Sequence, residues 1–318
     1  MISRLERRWP LYEALSAFVW DRYYFPMDGP FQNYTYFPAM SAGEVRESWE
    51  ETARLIRCGR APKEIGVYVH WPFCPSRCTY CYCSMKVPKS GGEMEEYLGL
   101  LEREIDELKG ALDGIGMETV WLGGGTPTFM TERQMDRLLG KLGESFRLEK
   151  GAQVYVEASP ATLTAGKMEV LARRGVNRMT LGVQTLDEEV LKKIDRAGQT
   201  REVVEKAWAL MAGREGLLTD MDLIYGLEGQ SASSFVRDLG WAVKKRPDAI
   251  HVYGFDPRPQ TSYAKSGGGA DGGGAQGRRA AQAAQRVLEA CGYRTARTDP
   301  ERGADAPEER QDGAVRRL

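Results

Sequence analysis

Short apolar or β-branched runs recur through the middle of the chain. Each is followed by a stretch whose apolar positions return every three or four residues. The runs at 65–73 (IGVYVHWPF), 119–122, 153–158, 178–183, 219–225 and 249–255 predict strands. The periodic stretches at 93–112, 131–142, 164–174, 201–212 and 231–245 predict helices. Thr131 ahead of Gln134, and Thr164 ahead of Lys167, offer hydroxyl caps at helix starts, and Gly175 after LARR stands where a C-terminal cap glycine is expected. Six strand-then-helix units in series imply right-handed crossovers and a parallel sheet. A closed TIM barrel has eight, so an open doubly wound sheet and a partial barrel remain. Cys74, the stretch 123–126, Glu157, Gln184, Asp222 and Asp256 each end or follow a different strand. A barrel gathers all of these on one rim, whereas an open sheet gathers only those near its switch point. The pattern therefore predicts an α/β fold with a partial (β/α)6 TIM-type barrel.

The flanks differ in kind. Residues 1–60 are aromatic-rich and irregular and predict an arm packed outside the barrel, which would occupy 61–265. Residues 266–318 contain GGGADGGG, no lysine and few large apolar side chains. One helix is expected at 278–290, and disorder is expected beyond Thr298.

Lys+Arg total 44 against Asp+Glu 45, a net charge of −1. That balance argues against broad nucleic-acid binding and against a polybasic membrane tether. No apolar stretch approaches the ~18–20 residues of a spanning helix. The start, MISRLERRWPLYEALSAF, lacks a continuous apolar segment before a cleavage site, so a cytoplasmic protein is expected. Six cysteines then need a reason other than disulfides. Cys58 and Cys291 stand alone and read as small buried or incidental thiols.

The other four lie in HWPFCPSRCTYCYC, with Cys74, Cys78, Cys81 and Cys83 spaced by four, three and two directly after a strand. Thiolates are the soft ligands that zinc, copper(I) and iron–sulfur clusters prefer. Structural zinc sites usually use two separated CxxC knuckles, whereas one loop here carries an asymmetric CxxxCxxC. Three local thiolates on a four-iron cluster would leave one iron open to another ligand, and the spacing favours iron–sulfur over zinc.

CxxxCxxC after the first strand resembles the radical SAM superfamily. YVHWPFCPSRCTYCYC (68–83) is similar to the signature of the oxygen-independent coproporphyrinogen III oxidase family. The similarity continues through WLGGGTPT, VEASP, LGVQTLDEEVLKKIDR and MDLIYGLEGQ, in family order, and covers roughly residues 28–298. The resemblance implies a partial barrel. It implies a [4Fe–4S] cluster on Cys74, Cys78 and Cys81, with S-adenosylmethionine (SAM) on the fourth iron, one molecule or two. It assigns Tyr68, Tyr80, Gly124, Gly125, Thr126, Glu157, Gln184, Arg196 and Asp222 to cofactor binding, and leaves Cys83 without an iron. A tetrapyrrole substrate and an external electron donor such as flavodoxin or ferredoxin are implied partners.

The residue types suit those roles. Glycines at 123–125 would let a ligand approach the backbone and its N–H groups. Glu157, Gln184 and Asp222 are polar groups on apolar strands, and a carboxylate can accept from both hydroxyls of a ribose. Arg196 offers a fork to a ligand carboxylate. His70 is expected to orient the cysteine loop and His251 to be buried structure. Full-length family members continue into a mostly helical C-terminal domain, and at Asp256 they usually have a small residue. Three activities are compatible: a coproporphyrinogen oxidase, a related methyltransferase using a second SAM, and a haem-binding chaperone, whose branch typically lacks the cysteine at Cys83.

Overall fold

The computed structural model describes residues 41–61, 65–196, 198–255, 261–265, 275–295 and 314–317. The six runs form parallel strands β1 (Ile65–Trp71), β2 (Gly116–Gly124), β3 (Arg147–Ala158), β4 (Arg178–Gln184), β5 (Leu218–Tyr225) and β6 (Ala249–Gly254). They lie side by side in chain order. Helices α2 (Gly91–Ala111), α3 (Glu132–Ser145), α4 (Ala165–Arg173), α6 (Arg201–Met211) and α7 (Ala232–Lys245) connect them, following α1 (Ala42–Arg57) and interleaved with the short α5 (Glu188–Lys193). A right-handed crossover that never reverses direction along the sheet places every connecting helix on the same face. There is no switch point, so the sheet is wound one way, as in an open six-stranded portion of a TIM barrel.

Local chemistry sets the helix ends. Thr131 caps α3 in a reciprocal box with Gln134, Thr164 accepts from the Lys167 amide, and Gly175 follows α4 with φ +77°. The helix-facing side of the sheet is apolar. Val154, Val156 and Ala158 on β3 and Met221 and Leu223 on β5 join Leu138, Met168, Leu171 and Phe235 in one core. Each of these side chains except Ala158 contributes roughly 1.5–3 kcal/mol through burial. The alternate positions, Tyr155 and Glu157, Asp220 and Asp222, are polar, so the inner face of the sheet is built for a polar occupant.

Two expectations need correction. The stretch 1–60 is not irregular throughout, because Ser41 and Glu44 form a capping box that starts the regular helix α1; residues 1–40 lie outside the described ones. Disorder beyond Thr298 does not hold for β8 (Ala314–Arg317), which pairs antiparallel with β6 and with β7 (Tyr293–Thr295). Side-chain composition led to that expectation, but a sheet edge offers backbone N–H and C=O groups that a polar segment can satisfy. Cys58 and Cys291 are exposed, which leaves the incidental of the two readings offered for them, and the Cys58 thiol donates to the Arg54 carbonyl at 2.7 Å. Asp256 lies outside the described residues. The chain also forms α8 (Ser262–Lys265) and α9 (Ala275–Ala290), the latter packed on α7. Among the described residues, no helix is long and apolar enough to cross a membrane.

Candidate cofactor site

The cysteine loop leaves the carboxyl end of β1 and is closed at its base. Cys74 N donates to Lys86 O at 3.1 Å, and Lys86 N donates to Pro72 O at 2.7 Å. His70, in β1, reaches Ser84 O through Nε2 at 2.7 Å and Tyr68 Oη through Nδ1 at 3.1 Å, so it does orient the loop. Thr79 ties the loop's tip to the far side of the barrel, donating to Ile194 O and accepting from Tyr263 N.

The loop roofs a cavity of about 440 Å³, a size ordinary for a small-molecule site. Its walls include Cys74, Cys78, Cys81, Tyr80, Gly124, Gly125, Thr126, Glu157, Gln184, Arg196 and Asp222. The fold thus gathers from five strand ends every assigned residue except Tyr68. That tyrosine is half exposed, with its ring edge-on to Trp121 at 5.4 Å. The walls also contain Cys83, Ser159, Thr180, Gly182 and Gln199. Of these, Thr180 carried a signal, as a polar residue inside an apolar strand; Gln199 carried none. Among the described residues, no group of three or more His, Cys, Asp or Glu is placed to hold a single metal ion.

The glycine triplet works differently from expectation. Gly125 N donates to Trp71 O at 2.7 Å, Thr126 N to Phe73 O at 3.0 Å, and Gly124 N to the Glu157 carboxylate. These amides are therefore engaged inside the protein. A Cβ at Gly123 would meet Glu157 Oε1 at 2.7 Å, at Gly124 the His70 ring at 2.6 Å, and at Gly125 Cys74 Sγ at 3.0 Å. The glycines let the carboxylate, the histidine and the cysteine loop close against β2. Thr126 adds a 3.2 Å contact from its hydroxyl to Cys74 Sγ.

Arg196 is likewise committed. Its Nη1 donates to Tyr80 Oη at 2.9 Å and Cys78 Sγ at 3.7 Å, its Nη2 to Gly182 O at 2.8 Å and Gln199 Oε1 at 2.6 Å, and its Nε to Gln199 Oε1 at 3.2 Å. All five donors of the guanidinium are used, which leaves no free fork for a ligand carboxylate. What Arg196 supplies is a clamp between the cysteine loop and β4, together with a half-buried positive charge beside Cys78.

The charge states follow from burial. Removal from water raises the Glu157 carboxyl to about 7, against the pull of Trp121 Nε1 (3.0 Å) and the Gly124 amide. Burial also raises Asp222 to about 7; His251 pulls it down, and Glu157 and Asp220 push it up. Burial lifts the Cys74 thiol to about 11. The hydrogen bond from Cys83 lowers Cys81 to about 6 and raises Cys83 in turn. Gln184 sits at φ +65°, a left-handed conformation uncommon for a non-glycine residue, and its buried Oε1 has no hydrogen-bond partner among the described residues. An unpaired acceptor, two high-pKa carboxyls and soft thiols around one space fit a ligand that brings hydroxyl or ammonium donors next to a thiolate-bound centre.

The profile of the radical SAM superfamily matches residues 68–242. The oxygen-independent coproporphyrinogen III oxidase of Escherichia coli (strain K12) is 32% identical over 230 residues, covering 71% of this chain and 49% of that protein. The enzyme of the same name from Helicobacter pylori (strain ATCC 700392 / 26695) is 33% identical over 233 residues, 71% of this chain and 50% of its own. The heme chaperone HemW of Buchnera aphidicola subsp. Schizaphis graminum is 28% identical over 199 residues, 63% of this chain and 52% of its own. The solved structure of coproporphyrinogen III oxidase (HemN) from Escherichia coli superposes with a TM-score of 0.70 at 27% identity, over 78% of this chain and 56% of that one. The chain spans about half the length of the curated relatives it matches.

Proposed function

The chain belongs to the radical SAM superfamily, and on that premise we propose that it cleaves SAM reductively and turns the reaction on a tetrapyrrole, as an oxygen-independent coproporphyrinogen III oxidase. A [4Fe–4S] cluster bound here would supply the electron that breaks the sulfonium C–S bond. Cys74, Cys78 and Cys81 would hold three of its irons. Cys83 donates a hydrogen bond to Cys81 and stabilises a thiolate there. Glu157 and Asp222 accept the hydroxyl and ammonium donors of SAM from one wall, while Gln184 offers its unpaired Oε1. Arg196 fixes the cysteine loop against β4 and balances thiolate charge at Cys78. The cysteine loop and the strand ends exclude bulk water from the reacting atoms. A second SAM and a flavodoxin- or ferredoxin-type electron donor belong to the same proposal.

One observation carries the reading: the thiols and the ligand-type carboxyls line the same 440 Å³ cavity. The test is product analysis of anaerobically reconstituted protein given SAM and a strong reductant. 5′-Deoxyadenosine is expected, and with coproporphyrinogen III a loss of carbon dioxide. S-adenosylhomocysteine would point to a methyltransferase. Neither product, together with tight haem binding, would point to the chaperone reading that the similarity to HemW raises.

A further inference from the structure

Below the cavity, the inner face of the sheet carries a second polar group that no role described above uses. Asp220 is 1% exposed and lies two residues before Asp222 on the same face of β5. Arg178 on β4 donates to its Oδ2 through Nε at 2.7 Å, and Thr180 reaches the same oxygen at 3.4 Å. His251 on β6, 4% exposed, places Nε2 3.4 Å from that oxygen and stacks on Tyr253 with ring centroids 6.2 Å apart. In the β5–β6 ladder the register partner of His251 is Asp222 itself. Two acids and two bases therefore face one another across three adjacent strands.

Arg178 pairs with Asp220 at 2.7 Å and His251 stands 3.4 Å from the same carboxylate oxygen, so Asp220 shares its charge with two partners, while the strand register sets the imidazole beside Asp222 as well. The other groups facing this pair are Tyr155 and Glu157 on β3, Tyr253 on β6 and Arg196 above; the Arg196 charge also favours ionised Asp222, more weakly than His251, and Glu157 and Asp220 are acids that work against it. A proton on His251 with a carboxylate at Asp222 has the same net charge as a neutral ring with a carboxylic acid. The two arrangements differ in what the cavity wall offers: an acceptor in the first, a donor in the second. Burial alone favours the acid, and the imidazolium opposes it.

We propose that His251 is a positioning residue for the cavity: it carries the proton that keeps Asp222 ionised, so that the wall presents a carboxylate to the donor groups of bound SAM. The inference rests on the reading of the cavity as a SAM site. Asp220, clamped by Arg178, orients the ring, and His251 acts through Asp222 without touching the ligand. When the ligand's donors engage Asp222, the proton resides on His251, and no net proton is taken up from solvent.

The chain holds two histidines, His70 and His251, so histidine-selective NMR of the full-length reconstituted protein gives two titrations, with H251Q identifying one. In D222N the His251 midpoint is expected to fall by about one pH unit, since a carboxylate neighbour is removed. SAM affinity is measured in parallel by anaerobic equilibrium dialysis at pH 6 and pH 8, as the ratio of H251Q to wild type. That ratio is expected to be roughly ten-fold worse at pH 6, where Asp222 without its partner takes up a proton. D222N should bind weakly with no such difference. Equal weakening of H251Q at both pH values would reduce His251 to packing and overturn the proposal, as would a His251 midpoint unmoved by D222N. If wild-type protein binds no SAM at either pH, the SAM reading itself fails, while the D222N titration still decides whether the two side chains are coupled.

Discussion

Replacing Glu157 with glutamine should make the protein more stable at pH 8 while it weakens ligand binding. The carboxyl ionises at about 7 in the folded chain against an ordinary value of 4.5, and burial is the main cause. Because the folded state holds its proton more tightly than the unfolded state, this group supports folding fully below about pH 4.5. That support is lost as pH rises through about 7 and is gone by pH 8. Complete burial would make the loss about 3 kcal/mol. The carboxyl faces a cavity, where a higher effective dielectric halves the figure to about 1.5 kcal/mol. Glutamine has the same shape, and its oxygen can still accept from Trp121 Nε1 and the Gly124 amide, so the substitution removes the charge without removing the bonds. In thermal unfolding of the cluster-free protein, Glu157→Gln should raise the midpoint by roughly 2 °C at pH 8 and by much less at pH 4.5. Equal effects at both pH values, or a lower midpoint at pH 8, would refute the claim that an ionised, poorly solvated carboxylate is kept there for a ligand. SAM affinity should fall in the same variant, which is the trade between stability and function expected where a fold holds a strained charge for binding.

Three further outcomes can be checked. Anaerobic reconstitution should load about four irons per chain, and Cys74→Ala should abolish this; stoichiometric zinc with no iron uptake would overturn the iron–sulfur reading. Arg196→Met should lower stability by about 2–3 kcal/mol, because it strips five part-buried hydrogen bonds and uncouples the cysteine loop from β4; Arg196→Lys should rescue little, as an ammonium cannot span Gly182, Gln199 and Tyr80 together. Denaturant unfolding followed by fluorescence measures both. Removing residues 299–318 should leave iron content and 5′-deoxyadenosine yield unchanged, since the assigned site residues lie between 68 and 222, but light scattering should show more association, because β6 loses its β8 partner.

The strands of the barrel were legible because each alternates or runs apolar for at least four residues. Their lengths were less so. The structure extends β2 back to Gly116 and β3 back to Arg147 through RLEKGA, where backbone pairing of Gly116 with Arg147 holds a polar stretch that has no apolar period to announce it. Helix α5, six residues long, is too short for periodicity, and only the Asp187 cap marks it. Helix α1 did carry a readable signal in Ser41 and Glu44, outweighed in the sequence reading by the aromatic stretch before it.

The site divides along the same physical line. Cysteine spacing is a local property, so the thiol ligands could be named from one loop. What Arg196 and the glycines do depends on which loops lie opposite them, and that is set only when six strands adopt one order. Arg196 had the chemistry of a ligand fork and the position of an internal clamp; the position decided. The buried group under Asp222 is the limiting case. Arg178, Asp220 and His251 come from three strands spread over 74 residues, and nothing near any one of them in the chain indicates the other two. Yet its cost is visible once the strands are aligned: Asp220 Oδ1 and His251 Nδ1 are buried without a partner among the described residues. A fold that needed only a filled barrel would place apolar side chains at these positions at lower cost. Their retention as ionisable groups, in register with a cavity carboxylate, is the physical ground for expecting them to act on the ligand side of the barrel rather than merely to fill its floor.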